Sequence, residues 1–127
     1  MRNIGFYFFS VAALCVTAGM LGGIQMSMSG DHSLAGAHAH LNLVGWVTMG
    51  LFGIYYAVTP QAAESQLAKV HFAVALAGVG LMVPGIVMAI RESGEAVVAA
   101  GSMLTALSML IFLYTVARNG IGAPSAA

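Results

Sequence analysis

"GAHAHLNLVGW", Gly36–Trp46, sets His38 and His40 two positions apart at the head of a run that stays apolar to Val58. A helix that crosses a bilayer needs about 20 mostly apolar residues. This stretch supplies them without one charged side chain. Three similar runs flank it, so spans are predicted at Ile4–Met28, Leu34–Val58, Leu67–Ile90 and Ala96–Ala117. The charged residues collect at or between the ends of these runs: Arg2, Asp31, Glu64, Lys69, Arg91, Glu92, Glu95 and Arg118. The breaks carry turn chemistry in Ser29-Gly30-Asp31, Thr59-Pro60, Ser93-Gly94 and Asn119-Gly120. Loops this short force antiparallel neighbours. The expected fold is all-α, a single integral-membrane domain over residues 1–127, built as a four-helix up-down bundle.

Composition agrees. The 127 residues are 60% hydrophobic and only 6% charged, with a mean hydropathy of +0.93, whereas soluble domains carry roughly 25% charged residues. Four basic residues balance four acidic ones, and no cluster of Lys and Arg offers a nucleic-acid surface. The one cysteine, Cys15, has no intrachain disulfide partner and reads as a small packing residue. Arg2 ahead of an apolar run also suits a signal peptide. However, Leu14 stands where a lipoprotein site wants a small residue before cysteine, so the first run is read as a span. Arg2, Lys69 and Arg118 fall on one side and Arg91 on the other. The positive-inside rule then puts both termini in the cytoplasm and the His32 loop outside. Gly19 with Gly23, and Ala96 with Ala100, are small-residue pairs that let helices approach closely, within the bundle or against a second protomer. Pro84 is expected to kink the third helix.

Histidine inside a span is costly and marks a candidate site. On a regular helix, residues two apart point about 200° away from each other. His38 and His40 therefore cannot chelate one metal, but they can serve two sites on opposite faces. A large apolar group that takes a single imidazole from a buried helix is heme, whose iron needs an axial ligand and whose ring needs an apolar slot. Gly45, seven residues beyond His38 and on its face, is a candidate for the space a flat ring requires. Val44, Val47 and Leu51 follow His40 and suit a porphyrin or core packing equally. His32, in the loop, is either an interfacial residue or a further ligand. His71, near the opposite end of the third span, reads as structural or interfacial.

The nine methionines offer a rival, since soft thioethers select Cu(I). Met20, Met26, Met28, Met82, Met88 and Met103 all lie toward the His32 end of their spans. His32, Met26, Met28 and Met88, with His38 and His40, form the candidate copper set. Methionine is equally an ordinary apolar filler. No CxxCH motif is present, which excludes covalently attached c-type heme.

"HAHLNLVGWVTMGLFGIYYAVTP", His38 to Pro60, resembles the H-x-H helix of heme–copper oxidase subunit I, most closely that of the cbb-type oxidases and nitric oxide reductases. The matching residues are His38, His40, Gly45-Trp46, Gly53, Tyr55-Tyr56 and Pro60. The following span, "KVHFAVALAGVGLMVPGIVM", looks like the next family helix, and the last span is similar in pattern. The resemblance implies that His38 would be the proximal ligand of a high-spin heme and His40 an axial ligand of a low-spin heme. It also implies heme b as cofactor and a bacterial inner membrane as location. A full subunit I has about three times as many helices, and the helices that carry its copper ligands have no counterpart here. An autonomous oxidase or reductase is therefore not expected. The reading is a small b-type cytochrome for electron transfer or O2/NO binding, with lipid around it and a respiratory-chain partner. Two histidines that face opposite ways from one helix cannot both enter one small core, so a homo-oligomer, first a dimer, is expected. The alternatives are a Cu(I)-handling membrane protein and a heme-free accessory subunit of a respiratory oxidase.

Overall fold

Each of the four apolar runs becomes one long helix in the computed structural model, which describes residues 2–126. They are α1 (Ile4–Ser29), α2 (Ala35–Val58), α3 (Gln66–Ile90) and α4 (Ala96–Asn119). At 24 to 26 residues and about 1.5 Å per residue, each exceeds the ~30 Å of a hydrocarbon core. No strand occurs among the described residues. The fold is an all-α membrane bundle, as the hydropathy requires.

The helix ends follow from local chemistry. Asn3 caps α1 by accepting the Gly5 N–H at 2.9 Å, and Ser65 caps α3 by accepting that of Ala68 at 3.1 Å. Gly30 closes α1 in the left-handed region, φ 71°, with its N–H on the Met26 carbonyl. Gly94 and Gly120 also have positive φ, at 110° and 67°. Thr59-Pro60 opens a single helical turn, Pro60–Ala63, before α3. Pro84 lies on the exposed side of α3 and leaves Gln66–Ile90 one continuous helix.

Packing between helices rests on glycine. Lipid is as apolar as leucine, so association must come from close fit rather than from hydrophobic expulsion. A Cβ on Gly5 would stand 2.6 Å from the Gly53 carbonyl oxygen, and one on Gly53 would stand 2.9 Å from the Phe9 nitrogen. The backbones of α1 and α2 touch there. A Cβ on Gly45 would stand 2.9 Å from the Cys15 side chain. Gly78, Gly85 and Gly101 make the same kind of contact between α3 and α4, against Thr105, Val98 and Met82. Of the two small-residue pairs, Gly19 and Gly23 are used inside the bundle, against Asn42 and His38. Ala96 and Ala100 face outward.

The two hairpins join through an aromatic core in the half of the bundle nearer the termini. Phe8 of α1, Phe52 and Tyr56 of α2, His71 of α3 and Phe112 of α4 meet there, with ring centroids 4.5 to 5.9 Å apart. Such edge and tilted contacts add about 0.5–1.5 kcal/mol per pair beyond burial. The loop between α2 and α3 ties the end of α4 to this core. Tyr55 donates to the Gly120 carbonyl at 2.8 Å, and Gln61 to that of Gly122 at 2.9 Å. Thr59 Oγ1 accepts the Gly122 N–H at 3.0 Å.

Candidate functional site

The histidine pair sits at the start of α2, and the helix changes character directly after it. Leu41–Thr48 is π-helical, a rare form that is frequent at functional sites. The wider ladder is visible where the Met49 N–H reaches the Val44 carbonyl, and Thr48 Oγ1 donates to the Leu43 carbonyl at 2.9 Å. Asn42 gives a local cause. Its side-chain Nδ2 donates to the His38 carbonyl at 3.1 Å, the acceptor that its own backbone N–H uses in an α-helix. A side chain that competes for a carbonyl in this way loosens the ladder.

His38 turns into the bundle, where its imidazole packs on the Gly23 backbone. Asn42 Nδ2 lies 3.2 Å from its Nε2. It is also 3.5 Å from Nδ1, so the amide packs against the imidazole rather than capping one lone pair. The cavity beside the ring, lined by Gly22, Met26, Ala37, His38, Leu41 and Val83, holds about 160 Å³. Sites for drug-sized ligands run to about 300–1,000 Å³. A porphyrin does not fit on His38 inside one bundle as the side chains stand. Gly45 does lie on the α1-facing side with His38, but Cys15 fills the space its missing side chain leaves.

His40 is the opposite case. Its ring is exposed, and Nδ1 lies 2.7 Å from the Gly36 carbonyl. A carbonyl only accepts, so Nδ1 carries the proton, and Nε2 of the neutral ring is the bare nitrogen. Anchoring of one ring nitrogen on a carbonyl is what orients metal-ligating histidines and raises their basicity. Leu43, Val47 and Leu51, all exposed, follow down the outer surface of α2. His40 therefore meets the chemical requirements of an axial heme ligand, at the surface of the bundle. His32 repeats the pattern in the loop, with Nδ1 3.2 Å from the Gly30 carbonyl.

The methionine set does not converge. Met26 is turned into the bundle, whereas Met28, two residues on, is 83% exposed. Among the described residues, no cluster of three or more His, Cys, Asp or Glu side chains could hold a metal ion.

His71 is a core residue and not an interfacial one. It is fully buried, with Tyr56 Oη 2.8 Å from Nδ1 and Nε2 without a hydrogen-bond partner. Phe8, Phe52 and Phe112 surround it. Sequence reading missed two partners here, Asn42 for His38 and Tyr56 for His71. An asparagine four residues beyond a histidine in an apolar span is a usable signal for the first. The second pair is joined only by the fold.

No protein-family model matches this chain, and neither a curated protein nor a solved structure does.

Proposed function

We propose that this chain is the protomer of a homodimeric b-type cytochrome of the bacterial inner membrane, with heme held between two copies by His40 from each. The observation that carries the reading is the outward His40 ring, its Nδ1 proton locked on the Gly36 carbonyl and its Nε2 lone pair free. Among the described residues no group of three or more His, Cys, Asp or Glu side chains gathers around it, and the cavity beside His38 inside the bundle holds only about 160 Å³. A twofold interface supplies a second His40 by symmetry, and twofold dimers are the commonest closed assembly. The resemblance of His38–Pro60 to the H-x-H helix of heme–copper oxidase subunit I supports the same histidine.

Heme supplies a one-electron couple whose potential the axial ligands set. The chain's part is to fix the imidazole and surround it with apolar walls. Gly36 sets the ring's tautomer, the π-helical stretch after His40 sets where Leu43, Val47 and Leu51 point, and His38 with Asn42 holds α2 against α1. Held by a histidine from each copy, the group would keep no open site for a gas, which favours electron transfer over binding of O2 or NO.

The test is a visible spectrum of detergent-purified protein with heme quantified against protein. The expected result is a Soret band, α and β bands on dithionite reduction, one heme per two chains, and no spectral change with CO. A colourless, copper-loaded protein would support the Cu(I) reading instead. A colourless, metal-free protein recovered only with other subunits would support the accessory reading.

Two predictions follow from the assembly and the charge pattern. Light scattering coupled to size exclusion in detergent should give twice the protomer mass for the heme-loaded form. A heme-loaded monomer overturns the interface. The helices place Arg2, Lys69 and Arg118 at one end of the bundle and Arg91 at the other, so both termini should be cytoplasmic. A reporter fused after residue 127 should be active only if cytoplasmic. Periplasmic activity would invert the topology and put His40 in the inner leaflet.

A further inference from the structure

At the end of the bundle that carries the chain termini, α1 and α3 both begin, and a cleft of about 330 Å³ lies between their first turns. Arg2, Asn3, Tyr7, Ala63, Glu64 and Lys69 line it. With Ile4 the lining counts seven residues, three of them charged, in a chain that has only eight such residues, Lys+Arg 4 and Asp+Glu 4. Arg2 precedes α1, Glu64 lies in the α2–α3 loop and Lys69 stands in the first turn of α3. That is where the apolar spans stop, at the depth of lipid headgroups.

We propose that this cleft binds the headgroup of an aminophospholipid, with its phosphate on Arg2 and Lys69 and its ammonium on Glu64. The Arg2 guanidinium carbon lies over the Phe6 ring, 4.4 Å from its centroid. A guanidinium held there still carries N–H groups whose fork matches two phosphate oxygens. Lys69 brings a point charge from α3. Asn3 is committed to the protein, with Oδ1 on the Gly5 N–H and Nδ2 on the Tyr56 carbonyl, so it forms a fixed floor rather than a ligand. Tyr7 is half-exposed and stands where membrane proteins carry their interfacial aromatic belt. Glu64 decides the headgroup class. Two cations alone would select any anionic phosphate. A carboxylate beside them adds a site for a hydrogen-bonding ammonium, and a fully methylated choline has no N–H to give it. A free phosphate ion shares the first half of this chemistry but not the second.

Native mass spectrometry of the detergent-solubilised protein separates the sources. The probes are phosphatidylethanolamine, phosphatidylcholine and phosphatidylglycerol with the same acyl chains, and inorganic phosphate. The expected result is one retained phosphatidylethanolamine per chain, held about tenfold better than phosphatidylcholine, the worth of one charge-assisted hydrogen bond. Glu64→Gln should erase that preference and leave total lipid retention in place. Arg2→Gln with Lys69→Gln should lower retention of all three lipids. Arg118→Gln removes a cation at the same end but outside the cleft, and should change nothing. Equal retention of ethanolamine and choline lipids by the unaltered protein would overturn the proposal. So would phosphate binding without lipid preference, or an Arg118→Gln effect equal to that of the cleft variants. Circular dichroism on each variant checks that the helices remain.

Discussion

His40→Ala is expected to give a folded protein without heme absorbance, while His38→Ala keeps at least part of it. The difference rests on where each ring lies. His40 is anchored through Nδ1 at 2.7 Å from the Gly36 carbonyl and is exposed, so its removal deletes the proposed iron ligand and leaves the protein core untouched. His38 is engaged by Asn42 and packed on Gly23. Its removal leaves Asn42 without that partner and enlarges a cavity, which destabilises the helix pair by about 1–3 kcal/mol without touching the iron. His71→Phe is the third arm. It keeps an aromatic ring among Phe8, Phe52 and Phe112, removes the Tyr56 bond and should leave the spectrum in place. Reduced-minus-oxidised difference spectra of the three variants, at matched protein concentration, decide the matter. If His40→Ala retains full α and β bands while His38→Ala or His71→Phe bleaches the protein, the assignment of His40 is wrong.

Gly53→Leu should produce a large loss of stability. Its Cβ would stand 2.9 Å from the Phe9 nitrogen and 3.0 Å from the Gly5 carbonyl oxygen. Both are backbone atoms, so no side chain can swing aside, and α1 must separate from α2. Overpacking of this kind costs about 1–3 kcal/mol or more. In lipid the loss of close fit has no hydrophobic compensation between helices. Gly80→Leu is the matched control, because nothing lies within 4 Å of the Cβ it would carry. Thermal unfolding followed by circular dichroism in one detergent should show a clear fall for Gly53→Leu and none for Gly80→Leu. Equal melting temperatures would mean that α1 and α2 do not pack through Gly5 and Gly53.

His71 shows why some of the candidate site was beyond sequence reading. Its place near one end of an apolar run fits an interfacial histidine as well as a core one. The fold decides for the core, because Tyr56, fifteen residues away, turns its hydroxyl onto Nδ1. His38 and His40 divide similarly. Helical geometry alone says that they face opposite ways. It does not say which faces α1, nor that Asn42 engages the inner one and opens the ladder into a π-helix over Leu41–Thr48.

The chain's own residues determine the number, length and order of its helices. In a bilayer every backbone N–H and C=O must be satisfied within the segment, so each apolar run must be helical, and Gly30, Gly94 and Gly120 mark turns that need positive φ. Which side of each helix packs was left to tertiary structure. A helix that is apolar all round has no amphipathic period to betray its buried face, and α1 buries Gly5, Phe8, Ala12, Gly19 and Met26 while the equally apolar Leu14, Met20 and Leu21 remain exposed. Shape settles the choice instead. The backbones close where glycine meets glycine, as Gly5 does Gly53, and that contact turns His38 into the bundle and His40 out of it.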